Sequence, residues 1–510
     1  SSLYPSSMIS QNYSHDSKVW TKTYDLEGKL IDETGERDAN GSYIYDNLPD
    51  FEYINTEFDA YEYKRLKGPK SREEKVKVGR KICRWAQLPE GQQSIMPSIL
   101  TELLKARKDT RKKIKTEPDP FMKNILDKRQ LGYKVTANSL YGQCGARTST
   151  FYEKDVAACT TATGRQMIMY ARGMIEDTYG NTIVTMKNGT QARTRAEYIY
   201  GDTDSVFYTF NFEDLDGNPI RGQPALEMTI ELSFEVERIC SQFLKKPMYL
   251  EYEKTFMPFV LLSKKRYVGI LYEADPNKGE LKYMGLSLKR RDSCDYLKDT
   301  YGEIINILMR TQNVKNAIDY LNDSLQNLVD GSVNMDKLSI TRALRSEYKN
   351  PHQIGHWVLS DRIGKRDPGN KPKPGDRIKY VFVVNKNKKA LTGQRIETPD
   401  YIESNKLTID YGHYITNQLM KPLQQLFGLA IEDIWILQKK EPARKKYLTD
   451  MKQLQRTYTD DLETFNKKKE KYCSDKIKQL LFDKRLREID KINNKKELQD
   501  NFKMFGFTMK

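Results

Sequence analysis

The stretch "YIYGDTDSVFYTF", residues 198–210, sets Asp202 and Asp204 two positions apart between runs of aromatic and β-branched residues. Two carboxylates this close repel each other unless a cation or a well-hydrated turn offsets the charge. The flanks read as two strands joined in a hairpin, with Gly201 as the turn residue. On an extended backbone the side-chain period of two puts both aspartates on one face and Thr203 on the other. That donor set suits a hard, oxygen-seeking cation such as Mg²⁺, which takes one or two carboxylates and completes its shell from water or phosphate. The plainer alternative is an acidic hairpin turn, because Asp and Gly both favour turns.

A second group of polar residues lies upstream. "KVTANSLYG" places Lys134, Asn138 and Tyr141 at i, i+4 and i+7, on one face of a helix. A cation, an amide and a phenol on one stripe do not make a core face; a solvated surface is the alternative. Arg107 and Arg111 share a face in the preceding helical segment. If the two segments fold back on each other, these cations meet Lys134 and can hold a triphosphate, Arg through forked donors and Lys as a point charge.

The elements that must position these residues follow from local pattern. Met96, Leu100, Leu103 and Leu104 repeat at helical period, with Pro97 in the first turn, where its missing N–H costs nothing. "TEPDP" ends that helix, and Asp119-Pro120 supplies an N-cap and an N1 proline for the next. Two helices joined so briefly predict an antiparallel hairpin. The opening "SSLYPSSMIS" reads as strand and turn, and residues 21–75 as small strands with long turns. "NPHQIGHWV" reads as a loop despite the i, i+4 spacing of His352 and His356. Residues 146–290 mix helix and strand, an α+β pattern, and the chain from about 293 is mainly helical. The Lys- and Glu-rich tail after about 440 reads as exposed helices.

Composition narrows the partners. Lys and Arg number 86 against 70 Asp and Glu, a net charge of +16, which points to a polyanion such as nucleic acid. Six cysteines without a C-x-x-C pair argue against a zinc ribbon or disulfide framework and for an intracellular, reducing compartment. No run of eighteen apolar residues occurs, so no membrane partner is expected.

Three stretches, "SSLYPS", "KVTANSLYG" and "YGDTDS", occur in that order, followed by "SKKRYVGI" and "GLSLKRRD". They resemble the motifs of family B DNA polymerases, over about residues 1–430. "IDYGHYITNQLMKPLQQLF" resembles the thumb of delta-type members, and the opening resembles the enzymes of large double-stranded DNA viruses. The resemblance implies an α+β right-hand polymerase fold with an antiparallel-sheet palm, helical-hairpin fingers and a mainly helical thumb. The expected division is 1–93 first palm part, 94–145 fingers, 146–292 second palm part, and 293–510 thumb and charged tail. The implied activity is template-directed addition of dNTPs to a primer 3′-end with two Mg²⁺ ions. Implied partners are primer–template DNA and a sliding clamp or other replication factors, in a host nucleus or a cytoplasmic viral factory.

The resemblance also implies roles for matched residues. Asp204 is expected as a principal metal ligand, with Asp202 close by. Leu3 and Tyr4 would hold the nucleotide through backbone amides, the Tyr4 ring lying under the sugar and excluding a 2′-hydroxyl, with Ser2 near the phosphates. Arg107, Arg111, Lys134 and Asn138 would bind the triphosphate, and Tyr141 with Gly142 would line the nascent base pair. Lys264, Lys265, Arg266 and Tyr267 would grip the primer–template minor groove, and Arg290 and Arg291 the duplex backbone. The family's remaining metal-binding aspartate falls two residues before the position of Ser1. The stretch is therefore expected to be a piece of a longer protein, without the upstream exonuclease domain and inactive by itself. The rival readings are a reverse transcriptase or RNA-dependent polymerase, which usually carries adjacent aspartates, and a DNA-binding polymerase fragment without catalytic activity.

Overall fold

The computed structural model describes residues 2–504 apart from 66, 67, 70, 287, 289, 386 and 388, and omits the side chains of Glu90 and 496–504. Ser1 of the opening motif, Ser287 and Lys289 of "GLSLKRRD", and the last residues of the 293–510 region lie outside the described residues. The chain divides into two compact units, Ser1–Thr255 with Tyr272–Lys278, and Phe256–Leu271 with Gly279–Lys510.

The first unit opens with α1 (Leu3–Ser10), β1 (Lys18–Asp25), β2 (Leu30–Gly35), β3 (Glu52–Lys64) and β4 (Glu74–Gln87). It continues through α2 (Ile95–Thr116), α3 (Pro120–Gly145) and α4 (Lys154–Tyr179). The ribbons β5 (Thr182–Thr185) with β6 (Gln191–Thr194), and β7 (Glu197–Asp202) with β8 (Ser205–Thr209), precede α5 (Gln223–Gln242). The first four strands form an antiparallel sheet in the order β2-β1-β4-β3, with Thr21 and Thr56 both opposite Cys83. The expectation of small strands over 21–75 therefore needs correction: β3 and β4 are 13 and 14 residues long. Much of β3 is solvated on both sides, so its sequence shows no clean apolar alternation.

The opening segment is also a correction, because residues 3–10 are helical. Pro5 lies in the first turn, where its missing N–H has no intrahelical acceptor to satisfy. Residues 5–10 are all buried, so the helix has no polar face to betray its period. The α2–α3 hairpin forms as expected. Asp119 caps α3 by accepting from the Phe121 amide, and Met96 and Leu100 are buried on α2. Tyr13 hydrogen-bonds Thr56 of β3 at 2.6 Å and Thr163 of α4 at 2.7 Å, which ties the sheet to α4.

The second unit begins with β9 (Thr255–Ser263), β10 (Arg266–Tyr272) and β11 (Glu280–Met284), a three-stranded sheet. It continues with α6 (Asp295–Thr311), α7 (Val314–Val329), α8 (Met335–Leu338), β12 (Ile340–Ala343) and α9 (Gly355–Arg366). Then come β13 (Arg377–Phe382), β14 (Ile396–Glu397), α10 (Pro399–Ser404), α11 (Tyr411–His413), α12 (Met420–Gly428) and α13 (Ile431–Leu437). The tail forms α14 (Glu441–Thr457), α15 (Leu462–Ile477) and α16 (Asp483–Met504). Two expectations fail here. His356 lies in α9, not a loop; it is buried and its Nε2 is 3.0 Å from the Tyr348 hydroxyl, so it is a satisfied core residue. The tail is not simply exposed, because Tyr447, Cys473, Ile477, Leu481, Phe482 and Ile489 join the core of this unit. Cys473, Ile477 and Leu481 keep the ordinary i, i+4 spacing, and a π-helical segment at Lys478–Phe482 brings Phe482, five residues after Ile477, inward beside them.

Candidate active site

Three elements of the first unit meet at the start of α1. Ser2 is its N-cap, yet its hydroxyl bonds no amide of the helix. It lies 3.4 Å from Nη1 of Arg107 on α2. The Arg107 Nε reaches Gln130 of α3 at 3.3 Å. Burial, and next the neighbouring Arg111 charge, hold the Arg107 guanidinium below the ordinary arginine range. Among the described residues neither arginine has a carboxylate within ion-pair distance. Two cations that raise each other's energy make a standing demand for an anion. The first amides of α1, from Leu3 and Tyr4, belong to the set a helix leaves without internal acceptors.

On the other side of α1, the Tyr4 ring stacks on Tyr141 of α3, with centroids 4.2 Å apart and planes 25° from parallel. Lys134 and Asn138 share that face of α3 and are half-buried, while Gly142 is exposed. A Cβ at Gly142 would meet nothing within 4 Å, so packing within the chain does not require the glycine. Glycine inside an exposed helix costs about 1 kcal/mol relative to alanine; close approach of a bound molecule would account for it.

The aspartate hairpin departs from the extended geometry expected of it. Asp202 pairs with Ser205 as the last rung of β7 and β8, leaving Thr203 and Asp204 as the turn. Thr203 takes φ +56°, and the Asp204 amide donates to the Asp202 carbonyl at 2.6 Å. The two carboxylates thus sit at a reversal of the chain and not along one strand face. Gly201 is a strand residue whose Cβ would come 2.5 Å from the Tyr198 hydroxyl, so close approach, not turning, demands glycine there. The Asp202 carboxylate accepts from the Thr203 hydroxyl at 3.0 Å. Asp204 is exposed, and among the described residues no cation pairs with it.

Tyr4 and Thr203 line one cavity of about 180 Å³, with Gly164, Arg165 and Met169 of α4 among its other walls. Tyr4 therefore joins the α1–α2–α3 cluster to the tip of the aspartate hairpin. A Cβ at Gly164 would lie 3.2 Å from the Leu3 side chain, so the glycine lets α1 lie close on α4. Arg165 and Gln130 were not singled out by spacing. The cation in "TATGRQMIMY" carried a weak signal, since it interrupts a helical run of small and apolar residues.

A family model for DNA polymerase family B matches residues 1–429. The chain belongs to DNA polymerase family B. It is 40% identical to a DNA polymerase of Pyramimonas orientalis virus over 95% of this chain and 40% of that protein. It is 33% identical to the DNA polymerase delta catalytic subunit of Candida albicans over 65% of this chain and 30% of that one. The family B DNA polymerase of the archaeon Pyrobaculum calidifontis shares its fold, with a TM-score of 0.50 and 19% identity over 83% of this chain and 43% of that one. The chain thus spans about two fifths or less of the length of these viral and fungal relatives.

The other matched residues of this family B chain lie in or beside the second unit's sheet. Lys264 and Lys265 are the exposed turn between β9 and β10, with Lys265 at φ +63°. Arg266 bonds Gln425 of α12 at 2.6 Å, and the Tyr267 ring packs against Phe256 and Phe259. Arg290 makes two 3.0 Å bonds to Asp292, while Arg291 is exposed.

As to metal, no group of three or more His, Cys, Asp or Glu suited to an ion occurs among the described residues. Asp202 and Asp204 supply two carboxylates on one turn, which fits a hard cation that draws its other ligands from phosphate and water. Among the described residues no helix is long and apolar enough to cross a membrane.

Proposed function

We propose that the chain carries the polymerising part of a DNA-directed DNA polymerase, a nucleotidyltransferase that adds dNTPs to a primer 3′-end and releases pyrophosphate. One observation carries the reading. Tyr4 stacks on Tyr141 of α3 and lines the same cavity as Thr203, the residue between the two aspartates. In this reading residues 1–93 and 146–292 are palm, 94–145 fingers, and 293–510 thumb and tail. Arg107 and Arg111, with Lys134 and Asn138, hold the β- and γ-phosphates. The Leu3 and Tyr4 amides and Ser2 orient the triphosphate, Tyr4 underlies the sugar, and Tyr141 with Gly142 borders the base pair. Lys264 to Tyr267, Arg290 and Arg291 contact primer–template DNA.

Asp202 and Asp204 would hold two Mg²⁺ ions together with substrate oxygens and the family's remaining aspartate from the longer protein. When bound, the metal pair offsets charge on the attacking and leaving oxygens. The six cysteines are free and buried, in keeping with work in a reducing compartment of a virus-infected host. The test is primer extension by the full-length protein bearing Asp204→Ala. Extension is expected to vanish while primer–template affinity stays within about threefold. Near-native extension removes Asp204 from the metal site; equal loss of DNA binding favours a DNA-binding role without catalysis.

A further inference from the structure

The polymerase reading leaves one prominent feature of the first unit without a task. β1 ends at Asp25, opposite Gly79 of β4, whereas β3 and β4 stay paired as far as Lys64 and Glu74. Residues 61–64 and 74–78 therefore run past the sheet as a two-stranded ribbon. Its departure point is built in: β4 bulges at Val78, which lies unpaired between the Ala60–Gly79 and Tyr61–Lys77 pairs, and a Cβ at Gly79 would meet the Tyr24 carbonyl oxygen at 1.9 Å. A ribbon covered on neither face gains little from burial, so its residues answer to something other than packing.

Those residues are basic and aromatic. Residues 61–78 carry seven Lys and Arg against three Glu. Internal pairs use part of that charge, as Lys64 meets Glu62, Arg65 meets Glu73 and Lys77 meets Asp59. Among the described residues Arg72 and Lys75 have no carboxylate partner, and both are exposed. Tyr63 is 68% exposed and pairs across the ribbon with Lys75, whose ammonium lies 3.9 Å from the Tyr61 ring centre. The root of the ribbon adjoins the candidate active site. Glu57 and Asp59 of β3 enclose a cavity of about 400 Å³ with Arg165 of α4, and Arg165 also lines the cavity shared by Tyr4 and Thr203.

We infer that the β3–β4 ribbon is a binding arm for single-stranded DNA, which Tyr63 engages by stacking on a base while Arg72 and Lys75 neutralise phosphates. The exposed ring decides between single strand and duplex. Base faces are available in a single strand and hidden in a duplex, and an aromatic platform beside cations is how single strands are held without regard to sequence. The choice of DNA as the polyanion rests on the polymerase reading; the binding itself needs no nucleotide and no chemistry.

The experiment measures binding of the full-length protein to an oligothymidylate and to a blunt duplex at several salt concentrations. All altered side chains are solvent-facing, so the variants keep the fold. Tyr63→Ala should weaken oligothymidylate binding about tenfold and leave its salt slope unchanged, because stacking releases no counterions. Arg72→Gln with Lys75→Gln should reduce the slope of log affinity against log salt by about 1.4, roughly 0.7 for each phosphate contact. Both should leave blunt-duplex affinity within twofold. Unchanged oligothymidylate binding in both variants, or an equal loss on the duplex, overturns the inference. A protein that shows these shifts but extends no primer refutes the polymerase reading and leaves the arm standing.

Discussion

The Tyr4 ring lies on Tyr141, and Tyr4 borders the cavity that Thr203 shares. A ring held by stacking cannot swing aside at low cost, so a sugar resting on it meets a rigid wall. If the full-length protein polymerises dNTPs as proposed, Tyr4→Ala should therefore relax rejection of ribonucleotides by about tenfold or more, read as the ratio of dNTP to rNTP incorporation; an unchanged ratio places the sugar elsewhere. At this scale residue type was legible and local geometry was not. Asp202 and Asp204 were visible from their spacing, but the left-handed Thr203 between them was not, because a β-branched residue rarely takes positive φ. Arg107 and Arg111 were visible as a shared face, whereas Gln130, which receives the Arg107 Nε, is one polar residue among many on α3.

Among the elements, the α2–α3 hairpin was the most legible because independent signals agreed: apolar period, a proline-bearing break and the Asp119 cap. α1 was hidden by full enclosure, and the packed tail by the sparseness of its core positions, Tyr447, Cys473, Ile477, Leu481, Phe482 and Ile489, among many exposed charged residues. Leu100 is fully buried where α2 meets the core that includes Met8, Trp85 and Cys159. Leu100→Ala should cost about 2–5 kcal/mol of unfolding free energy, measured by denaturant titration; a loss under 1 kcal/mol means the hairpin does not depend on that core. A second element-scale prediction concerns α11. His413 lies against Phe382 with ring centroids 3.5 Å apart, and Asp410 and Arg395 are the charged groups beside it. Burial foremost, with Arg395 adding and Asp410 opposing, lowers its pKa from 6.5 to about 4. The unfolded chain then takes up the proton first as pH falls, so the stabilisation is complete above about pH 6.5 and is lost on the way down to about pH 4. Between pH 7 and 5 the native protein should lose about 1–2 kcal/mol more than His413→Gln. Parallel unfolding curves for the two would show that His413 titrates normally.

For the whole molecule, a net charge of +16 says that a polyanion is attracted, but not which cations do the holding. Pairing within the fold sorts them. Arg266 is half-buried and bonded to Gln425, so its loss should register as lowered stability before it registers in DNA binding. Arg290 is 66% exposed, yet both of its bonds go to Asp292, which also lies 3.8 Å from Arg342, so the charge that Arg290 offers a phosphate is already partly offset. Arg291 is exposed, and among the described residues no carboxylate lies within ion-pair distance of it. An exposed pair such as Arg290–Asp292 is worth only about 0–1 kcal/mol, so DNA can break it, but Asp292 would still repel the same phosphate. Adjacent arginines of identical type should therefore differ. In primer–template titrations from 50 to 200 mM salt, Arg291→Gln should reduce the slope of log affinity against log salt by about 0.9, the value for one duplex phosphate. Arg290→Gln should reduce it by about half that or less, and Asp292→Asn should steepen the slope by freeing Arg290 and Arg342. Equal reductions for the two arginines, with no effect of Asp292→Asn, would mean that DNA displaces the carboxylate completely and that pairing in the free protein does not decide which cations bind.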